Sequence, residues 1–152
     1  MVELMVVMAV ISILAGLVLA AAGYLQKKGA RSRTEAEIAA LSAALENYKA
    51  DNGDYPLNTN SSSSNNSCIV TNLMPTNGTM GKIYFEFKTN SLTNSGASTI
   101  YLDPFGNAYN YVYWSNGFTN AVGSTNNGVN NYDLWSTAGG SKRASNTWIK
   151  NW

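Results

Sequence analysis

The chain has 152 residues and a mass of 16.4 kDa, enough for one domain with an appendage. Only 12% of its residues are charged, the formal net charge is +1, histidine is absent, and Cys68 is the single cysteine. These counts remove the commonest general base and metal ligand, exclude an internal disulfide or a cysteine-rich zinc site, and supply no basic field for nucleic acid.

Twenty Asn, sixteen Ser and twelve Thr make up nearly a third of the chain. A surface solvated by neutral amides and hydroxyls fits an extracytoplasmic protein better than a cytosolic enzyme. No cofactor motif is present, so the expectation is a protein that is not an enzyme, with no cofactor.

Residues 4–22, LMVVMAVISILAGLVLAAA, contain no charge, and only Ser12 and Gly16 interrupt the apolar run. As a helix, 19 residues span about 28 Å, close to a bilayer core. A cleavable signal peptide would have a shorter apolar region, preceding positive charges and a small-residue cleavage site. Here the only charge in front is Glu3, and Lys27, Lys28, Arg31 and Arg33 follow. An acid at the mouth of an apolar helix is costly in lipid and implies a purpose. Basic flanks ordinarily stay cytoplasmic, which conflicts with the amide-rich remainder, so the segment is expected to enter the membrane by a dedicated route.

The helical pattern continues through residues 30–50, rich in Ala, Glu, Leu and Lys. Ile38, Leu41, Leu45 and Tyr48 are spaced as one helical stripe, with Glu35, Glu37, Glu46 and Lys49 falling largely away from it. No proline precedes Pro56, so one helix is predicted from about residue 3 to residue 51, apolar all round in its first half and amphipathic in its second. Asp51-Asn52-Gly53 should end it.

Residues 53–80 read as a polar loop, with LNTNSSSSNNS (57–67) as its low-complexity part. Strand-like runs follow at 83–87 (IYFEF), 99–102, 109–114 (YNYVYW) and 132–136. In the third, Tyr109, Tyr111 and Tyr113 share one face. Asp103-Pro104-Phe105-Gly106-Asn107 reads as a turn, with Gly106 or Asn107 supplying the positive φ. The fold class expected is α+β: a protruding apolar stem (1–26) and a globular domain (27–152), in which the amphipathic half-helix (27–52) packs on a small antiparallel sheet with long loops (81–152).

The stem MVELMVVMAVISILAG, the helix end LENYKADNGDYP (45–56), DPFGNAYNY (103–111), YDLWSTAGG (132–140) and the terminal IKNW together resemble the type IV pilin superfamily, and most of all the major pseudopilins of type II secretion systems. The resemblance runs from end to end apart from the Asn/Ser loops. It implies a structural subunit, anchored in the inner membrane before assembly, that polymerises through its N-terminal helix into a helical filament, extracellular or periplasmic. It also implies a prepilin peptidase, an assembly ATPase and an inner-membrane platform protein as partners, beside the homopolymer itself; no nucleic acid is expected.

There are three departures from the family pattern. The acidic residue is third, not fifth after an N-terminal Phe, and with no leader in view the chain reads as a mature or truncated form. Ala20 stands where many relatives have a stem proline, although Gly16 and Gly23 could weaken the helix there. The family's calcium site appears lost, because Asp133 is the last acid and STAGGSKRASNTWIKNW follows it with Lys142, Arg143 and Lys150. No metal is therefore expected, and basic or aromatic contacts should fasten the C-terminal loop instead.

The resemblance assigns filament assembly to Glu3, Leu4, Val7, Ile11, Leu14, Gly16 and Val18, with Glu3 pairing with a neighbour's N-terminal amine. The plainer reading of Glu3 is an interfacial flank of a membrane helix, and the resemblance favours the filament pairing over it. Lys27, Lys28, Arg31 and Arg33 are either a solvated collar at the membrane or partners of Glu35, Glu37 or Glu46 on adjacent subunits. The aromatic set of Tyr109, Tyr111, Tyr113, Trp114, Trp135, Trp148 and Trp152 is expected mostly to be sheet core. Sequons begin at Asn60, Asn65 and Asn77, and Ser61–Ser64 could carry O-linked sugar. The neutral loops and lost calcium site favour an exposed fibre; the C-terminal motifs favour a type II secretion pseudopilus. A monomeric, membrane-anchored carbohydrate-binding module is the rival of a different class.

Overall fold

The computed structural model describes residues 2–57, 66–75, 81–113, 131–140 and 145–152. A single helix, α1 (Val2–Asn52), runs 51 residues without a break, about 77 Å at 1.5 Å per residue. It stops where Gly53 takes φ +86° and returns its N–H to the Lys49 carbonyl at 2.7 Å, a conformation that glycine adopts without penalty. Residues 2–29 are all exposed, and burial begins at Thr34 and continues through Ile38, Leu41, Ala44 and Leu45. The predicted stripe is therefore the core-facing side of the helix, with Tyr48 half-buried at its end.

The domain beside it is α+β. A short helix, α2 (Ser67–Leu73), leads through an irregular stretch and a 3-10 turn (Thr89–Ser91) to the hairpin β1 (Leu92–Ser95) and β2 (Ser98–Tyr101). Strands β3 (Asn110–Tyr113), β4 (Tyr132–Ser136) and β5 (Ile149–Lys150) form an antiparallel sheet in the order β3-β4-β5, registered by Tyr111 opposite Leu134 and Trp135 opposite Lys150. The single sheet expected from the sequence is thus two small sheets. The three-stranded one lies against α1, and α2 packs on both β2 and α1.

Two expectations are corrected. Residues 83–87 are not a strand. Phe87 is buried and Phe85 half-buried, stacking edge-on to each other and to Tyr101, while Tyr84 N–H and Phe85 N–H both reach the Leu73 carbonyl. The alternating pattern is met by packing alone, with no ladder partner. Residues 67–73, read as part of a polar loop, are helical because Ile69, Val70 and Leu73 fall on one buried face. Cys68 lies on this helix, and burial pushes its thiol up to about 11, leaving it an inert, largely apolar filler.

The core is aromatic, and several of its hydroxyls find acceptors on α1 or just past its end. Tyr109, Tyr111 and Tyr113 alternate toward α1 and donate to Glu37 Oε2 (2.8 Å), the Pro56 carbonyl (3.0 Å) and Asp54 Oδ1 (2.6 Å). Tyr55, just past the helix, donates back to Glu46 Oε1 at 2.8 Å. These bonds give the three ladder hydroxyls and that of Tyr55 their acceptors where the sheet closes over the helix. Tyr101 stacks on Tyr109 with centroids 5.3 Å apart, and burial raises the pKa of both, with Glu37 adding to the effect.

The motifs singled out in the C-terminal half do structural work. The Asp103 carboxylate accepts the Phe105 and Asn107 N–H groups at 2.9 and 2.8 Å and the hydroxyl of Ser136 on β4. Pro104 opens the turn, and Gly106, at φ +81°, supplies the left-handed residue. Asn151 finishes the sheet: its side chain accepts from Leu134 N–H at 2.9 Å and donates to the Tyr132 carbonyl, while its own N–H reaches the Leu134 carbonyl.

Candidate assembly surface

The chemistry that distinguishes this chain lies on the exposed half of α1. Leu4, Val7, Ile11, Leu14 and Val18 are between 54% (Val7) and 72% (Leu4) exposed, and no part of the apolar window is covered by the domain. A soluble monomer does not leave so much contiguous apolar surface to water. The stem's backbone is satisfied internally, and its one hydroxyl, Ser12 Oγ, donates to the Met8 carbonyl at 2.8 Å. Past its first turn, the segment's backbone and its Ser12 hydroxyl thus have partners within the helix, as an apolar medium requires, and Glu3 is the polar group left at its mouth. The helix is long and apolar enough to cross a bilayer.

Gly16 and Gly23 sit on this half, and beyond the adjoining helix backbone no heavy atom comes within 4 Å of a Cβ built on either. Nothing in the subunit itself calls for glycine there. Glu3 occupies the first turn, where a carboxylate favours the exposed N–H groups of the helix start.

The collar residues differ in their partners within the chain. Arg31 Nε lies 3.2 Å from Glu35 Oε1, one helical turn on, and Arg31 Nη1 donates to the Thr147 carbonyl at 3.2 Å. Both side chains of that pair are about half exposed, so it contributes little stability. Lys27, Lys28 and Arg33 are exposed, and among the described residues no carboxylate lies within ion-pair distance of them. Glu37 does not fall away from the core as its position implied. It is only 15% exposed, and its second oxygen is 2.9 Å from Lys88 Nζ. Glu46 is occupied by the Tyr55 hydroxyl. The signal for Glu37 was present in the sequence: three alternating tyrosines facing a helix need acceptors.

Among the described residues no group of three or more Asp, Glu, Cys or His side chains is placed to hold a metal ion. Asp133 is buried in β4, opposite Val112. The C-terminal segment is fastened by Arg31 on Thr147, by Trp148 stacked on Trp135 at 5.8 Å, and by Lys150 over the rings of Trp148 and Trp152. Tyr109, Tyr111, Tyr113 and Trp135 are buried, whereas Trp148 is half-buried and Trp152 37% exposed. Asn60, Ser61, Asn65, Asn77, Trp114, Lys142 and Arg143 lie outside the described residues.

No family model, no curated protein and no solved structure matches this chain. The architecture stands by itself: a long apolar N-terminal helix followed by a small α+β domain, an arrangement compatible with a pilin.

Proposed function

We propose that this chain is a non-enzymatic structural subunit that polymerises through its N-terminal helix into a helical extracellular filament, after residence in a membrane. The observation that carries the reading is the division of one unbroken helix: residues 2–29 are all exposed, while the half from Thr34 onward forms the domain's wall. Only two environments suit such a stem, lipid and other stems. On leaving lipid it must bury itself against copies, and at about 25 cal/mol per Å² of apolar area that burial dominates cohesion. Gly16 and Gly23, unused by the subunit, let neighbouring helices approach closely. Glu3 then pairs with an amine of a neighbour, fixing register, because an unpaired charge in an apolar bundle is heavily penalised. A peptidase, an ATPase and a platform protein complete the machinery by resemblance.

Electron microscopy of sheared cell-surface material tests this. Abundant fibres that contain the chain support it. Recovery of the chain only as a membrane-bound monomer, with no fibre, contradicts it and favours an anchored binding module.

A further inference from the structure

The stem leaves the domain through a cationic notch. Between Glu3 and Glu35 there is no acid, and Lys27, Lys28, Arg31 and Arg33 fall within seven residues. Lys27 and Arg31 each stand seven positions, about two turns, before a buried residue, Thr34 and Ile38 respectively. They therefore lie on the side of α1 that the domain covers higher up, directly beneath its overhang. Arg31 touches that overhang, donating to the Thr147 carbonyl at 3.2 Å. The next residue, Trp148, is half-buried on Trp135 and has Lys150 Nζ 5.9 Å from its ring.

The position of this notch along the helix is set by the apolar run. The uncharged stretch continues past the run through Gly23, Tyr24 and Leu25, and a helix inserted as far as Leu25 places Arg31 about 9 Å beyond the hydrocarbon, six residues at 1.5 Å each. The headgroup layer on one side of a bilayer is roughly 5–8 Å thick. Arg31, Thr147 and Trp148 thus fall at its outer edge, within reach of long side chains. Tryptophan beside lysine and arginine is the composition that partitions to this level. We propose that the underside of the domain, formed by Lys27 and Arg31 with Trp148 just before β5 and flanked around the helix by Lys28 and Arg33, is a seat for the phosphate headgroups of anionic lipid, which orients the subunit on the bilayer before assembly. This rests on the reading that the stem resides in a membrane. Leaving the bilayer then breaks the collar's phosphate contacts as well as exchanging the stem's surroundings, so lipid charge regulates release. Each collar cation near an anionic surface is worth about a fivefold change in partitioning.

The experiment uses the full chain reconstituted in vesicles of phosphatidylcholine alone or mixed with phosphatidylglycerol, a fraction of the lipid carrying a quencher at the headgroup. Flotation first reports whether the stem is inserted. Tryptophan quenching then reports docking, and the Trp148→Phe chain shows how much of it belongs to that ring. The expected result is strong quenching in anionic vesicles that falls to the Trp148→Phe level in neutral vesicles, in high salt, and in a Lys27→Gln/Lys28→Gln/Arg33→Gln chain, whose three exposed side chains have no carboxylate partner among the described residues. A chain that floats but is quenched equally in neutral and anionic vesicles, or equally with and without the collar charges, overturns the lipid seat and leaves the stem reading intact. A chain that fails to float overturns both.

Discussion

The hydroxyl of Tyr109 donates to Glu37 Oε2 at 2.8 Å, tying the first residue of the tyrosine ladder to the middle of α1. The other carboxylate oxygen of Glu37 faces Lys88 at 2.9 Å, so one helical acid joins the sheet and the long connection to the same turn of helix. A hydrogen bond to an ionised acceptor is worth about 1.5–3 kcal/mol, and more is lost when a buried partner is orphaned. Tyr109→Phe is expected to destabilise the domain by about 1–2 kcal/mol, and Glu37→Ala by about 3 kcal/mol, because it strands the Tyr109 hydroxyl. Denaturant unfolding followed by near-UV circular dichroism measures both. A double-mutant cycle should show the two substitutions to be strongly non-additive.

Asp103 plays the corresponding part at the other end of the sheet. Its carboxylate closes its own turn through two backbone N–H groups and takes the Ser136 hydroxyl from β4. Asp103→Ala should cost about 2–4 kcal/mol, whereas Ser136→Ala, which removes one of the carboxylate's three bonds and the acceptor of the Ala138 N–H, should cost about 1–2 kcal/mol. Thermal melts of the two variants give the comparison; equal losses would mean that the turn, not the cross-link, is indifferent to the acid.

The tyrosine core gives the domain an alkaline limit. Burial raises Tyr109 and Tyr111 well above the usual value of 10.0, and burial together with Asp54 pushes Tyr113 up to about 12. Folding thus favours the neutral phenols. Their contribution is complete below pH 10, the unfolded-chain value, and is lost as pH rises through the folded values. For Tyr109 and Tyr111 each, stability falls by about 1.4 kcal/mol per pH unit above that point. The share of tyrosinate absorbance that belongs to the buried rings should therefore rise in one steep step together with the loss of near-UV dichroism, above the separate contribution of exposed Tyr24. A gradual rise centred at pH 10 with the fold intact would contradict the buried ladder.

Glu3→Ala should leave membrane insertion unchanged and block or disorder filament formation. The acid stands where lipid penalises it unless a cation arrives from elsewhere. Flotation and electron microscopy of the variant separate the two steps, and a normal fibre yield would sink the assigned role.

Much of the fold was legible from period alone. The helix was expected over about 3–51 and spans Val2–Asn52, because nothing in that stretch breaks it before Gly53. The runs at 99–102, 109–114 and 132–136 are strand-like in composition, the second alternating polar and aromatic residues, and they overlap β2, β3 and β4. β1 escaped notice since Leu92–Ser95 is mostly exposed and polar, and β5 because two residues carry no period. The sequence IYFEF looks like a strand, and what it lacks, a neighbour to pair with, is not written in it. In the stem the apolar run was unmistakable, but the turn of Glu37 toward the sheet depends on tyrosines more than seventy residues away.

The central claim is that the exposed half of α1 holds copies together while the buried half belongs to the domain. The most direct measurement compares the full chain with one beginning at Lys27, by sedimentation and electron microscopy under conditions in which the full chain assembles. The shortened chain keeps every buried residue of the helix, from Thr34 to Leu45. It should be a soluble monomer with the near-UV dichroism of the intact domain and should form no filaments. Long filaments from the shortened chain would show that contacts between the domains hold the fibre, and would contradict the claim.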